Sequence, residues 1–66
     1  MYNLDVWYQG EFKFHCTDVI FTEVPRVGER ILVDTQVIRD TVKRFVLEVI
    51  KVKDKEMLCE FIEFFP

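Results

Sequence analysis

Apolar and polar residues alternate from the start of the chain. Tyr2, Leu4, Val6 and Tyr8 interleave with Asn3, Asp5, Trp7 and Gln9, and past Gly10 the pattern resumes as Phe12, Phe14 and Cys16 against Glu11, Lys13 and His15. Period-two patterning on both sides of a glycine predicts a β-hairpin. A two-residue loop at Gln9-Gly10 sets Val6 opposite Lys13 and Asp5 opposite Phe14, which mixes the faces. A three-residue loop, Tyr8-Gln9-Gly10, pairs Val6 with Phe12, Leu4 with Phe14 and Tyr2 with Cys16, and sets Asp5 against Lys13. Face matching and the opposite-charge pair favour the longer loop.

Thr17 to Val24 is extended and less regular, around the apolar patch Val19-Ile20-Phe21. The chain is then expected to fold back at Val24-Pro25-Arg26-Val27-Gly28-Glu29-Arg30-Ile31. Pro25 fixes its own φ and pushes Val24 into an extended conformation. Gly28 permits the positive φ of a tight bend. Glu29 to Val33 reads as a short strand, and Asp34 to Thr41 as a polar connection with room for a turn of helix.

Val42 to Val52 fits two periods. Ile38, Val42, Phe45, Val49 and Val52 have helical spacing, yet Val42, Val46, Val49, Ile50 and Val52 are β-branched and suit a pleated surface. Pairing decides for strands. A turn at Asp54-Lys55 matches Lys53 with Glu56, Val52 with Met57, Ile50 with Cys59, Leu47 with Ile62 and Phe45 with Phe64. The expected fold is all-β, about five antiparallel strands in a small barrel; the alternative is α+β with a helix near 36–52. One face of the closing hairpin carries Phe45, Leu47, Val49, Leu58, Ile62 and Phe64, and the other Val46, Ile50, Val52, Met57, Cys59 and Phe61. A sheet packed on one side is polar on the other, so an apolar surface on both predicts that both are covered.

Length sharpens that expectation. Sixty-six residues make one domain, 1–66, and half of them are hydrophobic, with seven Phe. A chain this short buries only about 60% of its unfolded surface, so apolar area is left for another molecule. The net charge of −3 offers no broad attraction to nucleic acid or anionic membrane. Two cysteines do not make a disulfide scaffold, and Asp5 interrupts any signal-like start. No run approaches the ~20 apolar residues of a membrane span. The expectation is a cytoplasmic protein without membrane attachment.

Two N-terminal strands, an irregular excursion, a Pro-Arg-Val-Gly-Glu corner running into Ile31 and a long closing hairpin resemble small SH3-like β-barrels. More narrowly, the layout is similar to short proteins of bacteriophages and bacterial mobile elements with a Pro-x-x-Gly-[Asp/Glu] corner before an apolar strand; the matching residues are Pro25, Gly28, Glu29 and Ile31. The resemblance implies a barrel and a phage-type origin, and supplies no catalytic residue.

Candidate chemistry is sparse. His15, Cys16 and Asp18 are close in sequence, but neighbours on a strand point to opposite faces, so a shared metal or a Cys–His nucleophile is disfavoured. A Cys16–Cys59 disulfide is disfavoured in a reducing compartment. With no serine and no glycine-rich phosphate loop, no enzyme and no cofactor are expected. Trp7 shares a polar face with Asp5, Lys13 and His15 and reads as an interface anchor, with Lys13 over its ring; the competing reading folds it over the barrel end or onto Phe21. The expected function is a protein-binding module, in the phage setting an inhibitor that occludes a host protein, and self-associating. Its interface is assigned to Trp7, Val46, Ile50, Phe61 and Phe65. The alternative is nucleic-acid binding through the basic stretch 39–55, with Lys43, Arg44, Lys51 and Lys53, disfavoured by the acidic closing strand.

Overall fold

The computed structural model describes residues 1–37 and 41–65. Five strands run β1 (Tyr2–Tyr8), β2 (Glu11–Val19), β3 (Arg30–Val37), β4 (Thr41–Lys53) and β5 (Glu56–Phe65), in one sheet of order β2-β1-β5-β4-β3. The β-branched run of β4 is strand from Thr41 to Lys53, so the helical alternative fails there; residues 38–40 lie outside the described set. Strand β3 reaches Val37, absorbing most of the expected polar connection.

Two features depart from the expected barrel. Strands β1 and β5 are parallel, from Asn3 opposite Glu56 to Trp7 opposite Glu60, while the other three ladders are antiparallel. The sheet is also open: among the described residues no ladder joins β2 to β3. It curls nonetheless. Strands β2 and β4 are three places apart, about 14 Å on a flat sheet, yet the Phe14 and Phe45 rings lie 5.1 Å apart. The hollow holds the core: Leu4 and Val6 of β1, Val33 of β3, Phe45, Leu47 and Val49 of β4, and Met57 and Cys59 of β5.

Registers differ from the expected ones through β-bulges. The first hairpin uses the two-residue loop, with Tyr8 opposite Glu11 and positive φ at Gln9 (50°) and Gly10 (79°). Such a primed turn matches the twist of the flanking strands. Lys13 is then skipped, so Trp7 faces Phe12 while Val6 faces Phe14, Asp5 faces His15 and Leu4 faces Cys16. The extra residue restores the apolar face that an unbroken two-residue register would have scrambled. In the closing hairpin Lys53–Glu56, Val52–Met57 and Phe45–Phe64 pair as expected. Between them Ile50 and Ile62 are skipped, so Cys59 faces Val49 and Leu47 faces Phe61. These bulges gather Phe45, Leu47 and Val49 with Met57 and Cys59 on one side, although simple alternation assigns them to opposite faces.

The corner forms as a turn. The Glu29 amide donates to the Arg26 carbonyl (3.1 Å), Gly28 has φ 93°, and the Arg26 amide donates to Glu29 Oε1 (2.8 Å). Positive φ at the third residue is what a type II turn requires. The corner then docks on β4: the Gly28 amide donates to the Val49 carbonyl (2.7 Å), and the Val49 amide to the Glu29 carbonyl (2.9 Å).

Candidate functional site

The outer, convex side carries residues alternate to the core set, and the ladders align them in rows. One row crosses the sheet as Phe12, Trp7, Glu60, Glu48 and Arg30. At one end the Trp7 and Phe12 rings meet edge to face, centroids 5.8 Å apart, with Trp7 38% and Phe12 52% exposed. In the middle Glu48 and Glu60 sit directly opposite, a like-charge pair that costs stability. At the far end Arg30 Nε lies 3.7 Å from Glu48 Oε1. A second row sets His15 against Asp5, Nδ1 to Oδ1 2.5 Å, followed by Leu58 and Lys51. Toward the other end of β3, Leu32 faces Val46, and Asp34 Oδ1 lies 3.2 Å from Arg44 Nε.

Three of the expected interface residues are accessible or half-buried outside the core: Trp7, Val46 and the bulged Ile50. Phe61 is placed elsewhere. It packs in the hollow with Tyr8 (5.6 Å), Phe45 (6.2 Å) and Phe64 (5.0 Å). The side chains of Phe65 and Lys43 lie outside the described residues; their backbones pair with Arg44 and Thr35. Trp7 stacks on neither Phe21 nor Lys13: Phe21 packs on Tyr2 (5.8 Å), and Lys13 Nζ pairs with Glu11 (3.2 Å). Sequence reasoning missed Phe12, because only the skipped Lys13 turns it to Trp7's side. It also missed Leu32, which the alternation Ile31-Leu32-Val33 could have placed opposite the core.

Several cations have a carboxylate across the ladder, whereas Lys51 stands opposite Leu58. Arg44 is paired with Asp34, Arg30 with Glu48, and Lys53 stands opposite Glu56. Glu60 faces Glu48.

Both thiols are free, Cys16 half-buried and Cys59 fully buried. Burial pushes the Cys59 thiol up to about 11, helped by the nearby Cys16 and Asp5, and burial raises Cys16 as well. A nucleophile needs thiolate, so neither is primed for one. Among the described residues no group of three or more His, Cys, Asp or Glu could hold a metal ion, and no helix is long and apolar enough to cross a membrane.

The edges of the open sheet form the other notable surface. A groove of about 580 Å3 runs between them, lined by His15 to Phe21 on one side and Leu32, Val33 and Asp34 on the other. The total accessible surface is 5139 Å2, against about 4,500 Å2 expected for a folded chain of this mass. No family model, no curated protein and no solved structure matches this chain.

Proposed function

We propose that the protein is a small non-enzymatic protein-binding module acting through the convex face of its sheet. The exposed Trp7–Phe12 pair carries this reading. Two adjacent aromatic rings left half in water represent unrealised burial at roughly 25 cal/mol per Å2, and Trp is the side chain most enriched at binding hot spots. The neighbouring Glu60 and Glu48 favour a partner with an apolar knob flanked by lysine or arginine. Trp7 is the chain's single tryptophan, so its fluorescence reports burial on binding directly.

The test compares quantitative affinity capture from the native host for the wild type, a Trp7→Ala/Phe12→Ala double variant and a Lys53→Ala control. A partner retained by wild type and control but lost by the aromatic variant, with a blue shift of the Trp7 emission on adding it, supports the reading. A partner set indifferent to the aromatic pair overturns it.

A further inference from the structure

The two edges of the sheet are not equivalent. Strand β2 is blunted: its ladder to β1 shifts at Lys13 and again between Cys16 and Val19, and Asp18 has a left-handed φ of 57°. Such bulges are how natural edges avoid pairing. Strand β3 has no such device. Its ladder to β4 runs from Arg30 to Val37 without a register shift and contains no proline.

The direction of the free backbone groups on β3 follows from one bond. The Glu29 carbonyl accepts from Val49 on β4. Antiparallel ladders alternate, so Ile31 and Val33 also face β4, and the N–H and C=O groups of Arg30, Leu32 and Asp34 point away from it. These three residues also carry the convex side chains, with Leu32 51% exposed, while Val33 is buried and Ile31 packs on the core. The sequence Arg30-Ile31-Leu32-Val33-Asp34 is therefore self-complementary in an antiparallel sense. Turned about a two-fold axis at Leu32, it sets Arg30 against Asp34, Ile31 against Val33 and Leu32 against itself.

We propose that β3 is a homodimerisation edge, pairing antiparallel with β3 of a second copy about a two-fold axis at Leu32. This concerns the strand edge and stands apart from the Trp7–Phe12 reading. Charge complementarity selects a second copy as occupant. Within one chain Arg30 lies beside Glu48 and Asp34 beside Arg44. Pairing extends each into a four-residue row of alternating sign across the junction: Glu48 and Arg30, then Asp34 and Arg44 of the partner subunit. Between the two rows, Val46 and Leu32 meet their counterparts in an apolar row that covers Leu32. Arg30, Leu32 and Asp34 supply the free backbone groups as well, so the same register satisfies main chain and side chains. A single-strand junction is a small interface, and weak, concentration-dependent association follows.

Sedimentation equilibrium of the full chain over about a hundredfold concentration range tests this. The wild-type mass is expected to rise from 8.0 kDa toward twice that value. Arg30→Asp alone and Asp34→Arg alone each place like charges at both ends of the junction and are expected to weaken association about tenfold or more. Mixed in equal amounts they are expected to associate again, because the carboxylates of one variant meet the guanidinium groups of the other. Leu32→Glu, at an exposed position on the axis, is expected to abolish association with an unchanged circular dichroism spectrum, and so provides the test should a charge variant fail to fold. A wild type that stays at 8.0 kDa, a mixture no more associated than its components, or a folded Leu32→Glu variant that still dimerises would each overturn the proposal. Loss of dimer with aromatic-dependent capture intact sinks this inference alone; loss of that capture with the dimer intact sinks only the convex-face reading.

Discussion

The two hairpins solve the same problem in opposite ways. Both turn in two residues, at Gln9-Gly10 and at Asp54-Lys55, and both contain two register shifts. In β4–β5 the skipped residues are Ile50 and Ile62, one on each strand, so the shifts cancel and Phe45 faces Phe64 as in an uninterrupted ladder. In β1–β2 the extra residues lie on β2 and accumulate: Tyr8 faces Glu11, but Tyr2 faces Val19. A strand longer than its neighbour must bend. Cancelling bulges keep the closing hairpin as the middle of the sheet, whereas accumulating ones wrap β2 over the hollow and bring Phe14 onto Phe45. The difference also explains the edges, since β3 hangs on the compensated hairpin and stays regular while β2 is bent out of pairing.

The largest effect that would break this comparison is in the core. Leu47, on the compensated hairpin, is fully buried, and Leu47→Ala is expected to cost about 3–4 kcal/mol, a large share of a small domain's stability. Phe14, half-buried on the bent strand, should cost about half as much on truncation to Ala, since part of its ring is already in water. Urea titrations measure both, and a larger loss at Phe14 would make β2 the organising element instead.

Next is the corner that docks on β4. A Cβ at Gly28 would meet nothing within 4 Å, but φ is 93°, so Gly28→Ala isolates backbone strain. The expected loss is about 1–2 kcal/mol, read from the midpoint of thermal or urea unfolding. Gly10→Ala, at φ 79° and equally unhindered, should cost about the same, which makes it the matched control in the other hairpin.

The thiols sample one hairpin each. Cys59 ionises near 11 in the folded protein and a free thiol near 9.0, so above pH 9 the unfolded chain releases a proton that the native state keeps. Stability is therefore expected to be full below pH 9 and to fall as pH rises toward 11, with a shallower slope in Cys59→Ala. A thiol reagent at pH 8 should modify half-buried Cys16 well before Cys59; the reverse order would contradict the placement of β5 at the sheet centre.

The smallest effect is electrostatic. Glu60→Lys replaces the like-charge pair across β4–β5 with an opposite one and should stabilise the fold by about 0.5 kcal/mol. The gain should shrink in high salt.

Local chemistry was enough to place the turn at Asp54-Lys55, the corner with its left-handed Gly28, and Leu4, Val6, Phe45 and Met57 in apolar faces; the all-β class also needed the pairing of the 42–52 run with the closing strand, because that run alone fits a helix as well. Alternation, β-branching and glycine act within a few residues of chain, so they are legible there. The skipped residues Lys13, Ile50 and Ile62, the parallel pairing of β1 with β5, and an edge of β3 with no second ladder among the described residues were decided only in three dimensions. A bulge forms where curvature of the whole sheet requires an extra residue on one strand, and nothing in its neighbours along the chain announces it. That is why Phe12 joined Trp7 on the convex side, why Phe61 left the expected interface for the hollow, and why the self-complementary run from Arg30 to Asp34 emerged as an open edge.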